Sequence, residues 1–233
     1  MKVCLFVYEF PHFKSEHGLK TLLSYGHDIS LVIAQPFKQL SIPRSNFKIS
    51  SKLPVSGDLK TICELNNIPY LVLDHDSLKA HENIVKYKAQ LGIILGARIL
   101  KVATINMFID GILNIHPGKI PENRGLDNFK WSLINNIQMA NTAHLIDKKI
   151  DMGALVKVSE TKVFKDDSLY DFYLRHFFSE FSLMVESLTL LQQNDVKLEK
   201  QLSDGSYFGA VPSHLDDKLI NYFEDYKLKN STI

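Results

Sequence analysis

Residues 91–116 read LGIILGARILKVATINMFIDGILNIH, and their pattern decides the fold. Two short apolar runs, Leu91–Leu95 and Gly111–Ile115, flank a stretch with helical spacing near Arg98–Met107. A strand covered on both faces shows a nearly unbroken apolar run instead of strict alternation. Two such strands joined by a helix make a parallel crossover unit, because a tight turn cannot link parallel neighbours. The second run ends in His116-Pro117, and proline cannot continue a central ladder.

The same alternation extends in both directions. Upstream, Val3–Val7 and Ile29–Ala34 read as strands around a helix that carries Leu19, Leu22 and Leu23 on one face. Leu40–Val55 reads as a surface loop, followed by a helix at Asp58–Asn66, a strand at Ile68–Leu73 and a helix at Ser77–Gln90. Downstream come a helix at Leu126–Asn135, strands at Asn141–Ile146 and Ala154–Val163, and a long amphipathic helix at Asp167–Gln192. The aromatic stripe of that helix, from Phe172 to Phe181, reads as core packing. A turn and short strand within Asp204–Pro212 and a helix at Leu215–Lys229 close the chain. The expected architecture is α/β: a Rossmann-like, mostly parallel, twisted sheet flanked by helices. Residues 1–192 form the catalytic domain in this reading, and 193–233 a small C-terminal extension.

Composition excludes several classes of function. The 233 residues carry 27 Lys+Arg against 26 Asp+Glu, a formal net charge of +1, so no bulk electrostatic pull toward nucleic acid or an anionic membrane is expected. No apolar run approaches the roughly 18–20 residues that span a bilayer. The start, MKVCLFVYEF, reads as a first strand and not as a secretory signal, so a cytoplasmic location is expected. Two cysteines, Cys4 and Cys63, offer neither a disulfide framework nor a zinc site, and no metal is expected. The glycine-rich dinucleotide fingerprint, the P-loop, H-E-x-x-H and G-x-S-x-G are all absent.

What remains is the end of the Gly111–Ile115 strand. Asn114 and His116 are two apart, so their side chains share a face. They lie at a strand's carboxyl end, where open α/β sheets place their ligands. An amide beside an imidazole can stabilise an oxyanion and handle a proton. The connection His144–Gly153 adds two carboxylates and a lysine pair, and Asp151 is placed to approach His116 and fix its tautomer and charge.

Asn114-x-His116-Pro117, then Ile120-Pro121, Arg124-Gly125, Thr142-x-His144 and Asp151-x-Gly153, together resemble the folate-dependent formyltransferase family. The likeness runs through 19–36, 58–73 and 91–100 and covers roughly residues 1–190. It implies transfer of a formyl group from 10-formyltetrahydrofolate to a primary amine, with Asn114, His116 and Asp151 as the catalytic triad. It also implies a folate site built largely from backbone of two loops, with Gly96, Ala97, Arg98, Leu100, Ile146, Asp147 and Lys148 as candidates. Arg98 is the candidate for the glutamate carboxylate of the folate.

The acceptor is read from smaller features. The tail Gly205-Ser206-Tyr207-Phe208 with Pro212-Ser213, and the run Arg124-Gly125-Leu126-Asp127, are similar to small sugar N-formyltransferases acting on nucleotide-linked amino sugars. That resemblance implies a nucleoside-diphosphate-linked 4-amino-4,6-dideoxyhexose, a dTDP-sugar among the options, used for bacterial surface polysaccharide such as O-antigen, while the apolar long helix and tail offer a face for a homodimer. Candidate acceptor-binding residues are Glu9, His12, Lys14, Arg124, Tyr207 and Tyr222. The alternatives are a phosphoribosylglycinamide formyltransferase, a methionyl-tRNA formyltransferase-like enzyme, a 10-formyltetrahydrofolate hydrolase and a folate- or nucleotide-binding module. Against the second stands the near-neutral charge, and against the first the aromatic, acidic run Tyr8–Phe13 where a phosphate-cradling Gly-Ser-Asn is expected.

Overall fold

The computed structural model describes residues 1–39, 47, 53, 57–201 and 203–231. Most of the Leu40–Val55 loop expected from sequence lies outside the described residues. Seven strands form the main sheet: β1 (Val3–Tyr8), β2 (Ile29–Gln35), β3 (Tyr70–Val72), β4 (Leu91–Ile94), β5 (Ile112–His116), β7 (Ala140–Leu145) and β8 (Ala154–Glu160). Their order is β3-β2-β1-β4-β5-β7-β8. The first five run parallel, while β7 and β8 are antiparallel additions at one edge. The strand order reverses between β1 and β4, which is where such sheets open a crevice at their carboxyl ends.

Helices cover both faces. On one, α1 (Phe13–Ser24) and the long α6 (Leu169–Gln193) pack Leu19, Leu22, Phe181, Met184 and Leu188 against Val3, Leu5, Leu113 and Ile115. On the other, α3 (Leu78–Lys86) places Ala80 and Ile84 against Cys4, Phe6, Leu31 and Ile112. The cause is the two-residue period of the strands, which sends Leu113 and Ile115 to one face and Ile112 to the other. Between them, α2 (Leu59–Leu65) is N-capped by Asp58, whose carboxylate accepts from Lys60 N at 3.0 Å. Helix α6 starts with a full capping box between Ser168 and Asp171, satisfying two otherwise orphaned groups.

Three elements differ from the sequence reading. The helix near Arg98–Met107 shrinks to α4 (Val102–Ile105). Side chains hold the preceding residues out of helix: Tyr8 Oη donates to Ala97 O at 2.9 Å, and Lys101 N donates to Asp76 Oδ1 at 2.8 Å. Helix α5 (Asn128–Asn135) begins later than Leu126, because Asp127 takes a left-handed conformation with φ 51°. The terminal helix is two, α7 (Ser213–Asp216) and α8 (Leu219–Asn230).

The segment after α6 does not hang free. A two-residue strand β9 (Tyr207–Phe208) pairs in parallel with β6 (Arg124–Gly125), a strand that sequence patterning does not reveal. From α8, Leu219, Phe223 and Tyr226 join Phe129, Leu133, Met139 and Phe172 in a third apolar cluster. Buried Lys130 and Asp216 form an ion pair at 2.5 Å that ties α5 to α7.

Candidate active site

Strand β5 delivers Asn114 and His116 to the carboxyl edge of the sheet, and antiparallel β7 sets His144 opposite Asn114 and Thr142 opposite His116. Thr142 Oγ1 donates to Gly118 O at 2.7 Å and accepts from Ile120 N at 3.1 Å, which fixes the chain as it leaves β5. After β7 the chain reverses sharply. A Cβ at Gly153 would lie 1.7 Å from Leu145 O, so only glycine fits that reversal. Asp151, on the same turn, has φ 53°. A left-handed conformation costs a non-glycine residue roughly 1–2 kcal/mol. Two backbone-side bonds offset it: Asp151 Oδ2 accepts from Gly125 N at 3.0 Å, and Asp151 O accepts from Gln201 Nε2 at 2.9 Å.

That turn brings the carboxylate to two imidazoles. Asp151 Oδ1 is 3.6 Å from His116 Nδ1 and 4.0 Å from His144 Nε2. His116 is 4% exposed, and its Nε2 sits 2.9 Å from Asn123 O. A carbonyl only accepts, so Nε2 carries the hydrogen and the neutral ring turns the Nδ1 lone pair toward Asp151. Burial holds the His116 pKa below the ordinary imidazole value, and the Asp151 charge raises it only in part. His144 is pushed down to about 4, by burial first and then by the neighbouring His116. Its Nε2 lies 3.2 Å from Asn114 Nδ2, so His144 touches the amide as well as approaching the carboxylate. Such a cluster can accept a proton on His116 Nδ1, hold the resulting cation beside a carboxylate, and donate from Asn114 to a developing oxyanion.

Two cavities flank the cluster. One, of about 210 Å³, is lined by Ala97–Leu100 and Ile146–Asp151 together with Asn114 and Ile94. The other, of about 410 Å³, lies beyond Pro117 and is lined by Phe47, Phe129, Tyr173 and Phe177 together with Lys14, Lys130, Asp127, His176 and Glu180. Lys14 and the buried Glu180 form an ion pair within it, and both charges act on His116. His176 is wholly buried: Nδ1 lies 3.0 Å from Thr161 Oγ1, and burial pushes its pKa down to about 4. Among the described residues, no group of His, Cys, Asp and Glu is arranged to hold a metal ion.

The sequence model of the formyl transferases matches residues 3–188. The chain belongs to the formyl transferase family. The methionyl-tRNA formyltransferase of Mycoplasma genitalium is 29% identical over 148 residues, 62% of this chain and 45% of that protein. The chain spans about half the length of the curated relatives it matches first. Among solved structures, an N-formyltransferase from Helicobacter canadensis in complex with folinic acid and dTDP-3-aminofucose superposes with a TM-score of 0.64. It is 18% identical and covers 100% of this chain and 84% of that one. Glycinamide ribonucleotide transformylase 1 from Symbiobacterium toebii gives 0.62 at 16% identity, covering 86% and 94%. At such identities these likenesses establish the shared fold.

The residues singled out from sequence fall into three sets. Asn114, His116 and Asp151 converge as described. Ala97, Arg98, Leu100, Ile146, Asp147 and Lys148 line the smaller cavity, while Gly96 abuts it, its missing Cβ leaving room for the Tyr8 ring. The acceptor candidates scatter. Lys14 lines the larger cavity; His12, pushed down to about 4 by burial, packs on Tyr8 and Phe10 and meets Ser15 Oγ at 2.8 Å. Exposed Glu9 accepts from Phe37 N, and Tyr207 lies exposed on β9. Arg124 is 8% exposed, and its Nε has no partner among the described residues. Tyr222 packs on the third apolar cluster and lines neither cavity, since its helix must bury that face. Sequence reasoning missed His144 as a site residue, and it missed His176 and Glu180, which sit in a helix stripe that looks like core.

Proposed function

We propose that this chain transfers a formyl group from 10-formyltetrahydrofolate to the primary amine of a nucleotide-linked amino sugar. The observation that carries the proposal is one buried Asn-His-Asp cluster whose Asn114 and Asp151 line one cavity, while Pro117, next to His116, lines a second of different character. The smaller fits a pteridine: its walls are two loops whose backbone groups can meet a ring edge bearing both donors and acceptors, and Arg98 stands at its rim. The larger, with aromatic walls and paired charges, fits a polar hexose carrying an amine. The folate supplies an activated formyl carbon. Asn114 donates to the formyl oxygen as negative charge develops there, a contribution on the order of 3 kcal/mol to the barrier. His116 Nδ1 takes the amine proton as the new C–N bond forms and returns it to N10 as the formyl C–N10 bond breaks and tetrahydrofolate leaves; Asp151 Oδ1 stands 3.6 Å away to stabilise the intervening imidazolium. His144 keeps Asn114 in place from the neighbouring strand.

Support for the sugar class comes from solved relatives of this fold, one of which holds folinic acid with dTDP-3-aminofucose. The proposal includes residues 1–192 as the catalytic unit with 193–233 as its extension, a cytoplasmic site of action, and a homodimer. The test is an acceptor screen in which purified protein and 10-formyltetrahydrofolate meet dTDP- and UDP-linked 4-amino-4,6-dideoxyhexoses, glycinamide ribonucleotide, methionyl-tRNA or water. Tetrahydrofolate release only with a sugar nucleotide is expected. Release with glycinamide ribonucleotide or methionyl-tRNA alone moves the assignment to that acceptor, and release with water alone makes the chain a hydrolase.

A further inference from the structure

We propose that Gln201, beyond the part of the chain that the family model covers, is a positioning residue for Asp151, so that the C-terminal extension completes the active site. The inference rests on the role assigned above to Asp151. Backbone pairing brings the segment in: Leu155 and Glu199 exchange hydrogen bonds of 2.8 and 3.1 Å at the start of β8. Two residues on, the side chain of Gln201 continues that ladder. Its Nε2 donates to Asp151 O and to Gly153 O, each at 2.9 Å. Its Oε1 is buried without a partner among the described residues, so the two carbonyls are what orient this amide. Those carbonyls belong to the turn in which Asp151 is held left-handed and Gly153 passes against Leu145.

The same segment reaches Asp151 from a second side. Ser206 N donates to Pro121 O, Arg124 N to Ser206 O and Leu126 N to Phe208 O, so β9 holds β6 in place. A Cβ at Gly125 would lie 2.1 Å from Phe208 O, which shows how closely the two strands approach. Strand β6 in turn presents Gly125 N to Asp151 Oδ2. The extension therefore grips Asp151 by its backbone through Gln201 and by its carboxylate through β6. Oδ1 is the oxygen left to face His116.

A Gln201→Met substitution keeps the side chain's length and removes both donors. Single-turnover formyl transfer from 10-formyltetrahydrofolate to dTDP-4-amino-4,6-dideoxyglucose then reads the effect in a double-mutant cycle with Asp151→Asn. Misplacing a reacting group by an ångström costs up to about a hundredfold, so Gln201→Met should slow transfer about tenfold or more. The KM for either substrate should stay within about threefold and the thermal midpoint within a few degrees. In the Asp151→Asn background the further loss should be no more than about twofold, because the group being positioned is gone. An unchanged rate in Gln201→Met, or the same fold loss in both backgrounds, overturns the proposal. Wild-type transfer by Asp151→Asn alone is a different result: it removes the catalytic role of Asp151 itself, and the positioning role with it.

Discussion

The cavity beside Asn114 and Asp151 is walled by two unbroken stretches of chain, 97–100 and 146–151, whereas the cavity beyond Pro117 is walled by side chains gathered from α1, α5, α6 and residue 47. Under the proposed function the difference matches what each cavity is asked to recognise. Consecutive loop residues present backbone donors and acceptors whose positions do not depend on side-chain identity, which suits a co-substrate common to a whole family. Side chains drawn from distant helices can be exchanged one at a time, which suits an acceptor that differs between family members. His116 lines neither, yet Asp151 of the smaller cavity and Glu180 with Lys14 of the larger all act on its charge.

If the centre is shared in this way, substitutions there should abolish the distinction. His116→Asn and Asp151→Ala should each lower kcat by at least about a hundredfold, as expected for losing a proton acceptor or its counter-charge. Folinic acid affinity, measured by calorimetry, should change far less. Near-normal turnover in both variants would break the assignment.

The cavities themselves should respond separately. Glu180→Gln removes the buried carboxylate beside Lys14, and it should raise the KM for the acceptor about tenfold while leaving that for the folate nearly constant. Arg98→Ala should do the reverse on a smaller scale, weakening the folate about threefold. Steady-state titration of each substrate in turn checks both, and a swap of the two effects would contradict the division.

The smallest effects are in pH. Under the proposed function neutral His116 is the proton acceptor, so kcat should fall as pH drops through its pKa, which lies below the ordinary imidazole value. Stability follows the same sign. His144 and His176 titrate near 4 in the folded chain, against an unfolded value of about 6.5. The unfolded chain therefore binds protons first, and the stability they contribute is complete above about 6.5 and lost as pH falls toward 4. Thermal midpoints recorded across that range should decline, and His176→Asn should flatten the decline.

How much of this was readable in advance depended on distance along the chain. The sheet was legible because each buried strand is a local apolar run, and Asn114 with His116 because a two-residue period puts them on one face. The two loops that wall the smaller cavity had no such local signal and followed only from the family resemblance. Strand β6 was not, since two residues carry no pattern and its partner lies more than eighty positions away. Glu180 and His176 were hidden by the aromatic stripe that surrounds them on α6. Gln201 gave no signal, because its meaning comes from the pairing of Glu199 with Leu155. Tyr222, an acceptor candidate from sequence, packs on the third apolar cluster and lines neither cavity.

The most direct test is a crystal structure with folinic acid and an amino-sugar nucleotide bound together. Folinic acid should occupy the cavity at residues 97–100 and 146–151, and the hexose the cavity at Lys14 and Glu180. The sugar amine and the formyl carbon should face each other roughly 3–3.5 Å apart beside His116, as a near-attack arrangement requires. Both ligands in one cavity, or an amine turned away from His116, would contradict the account.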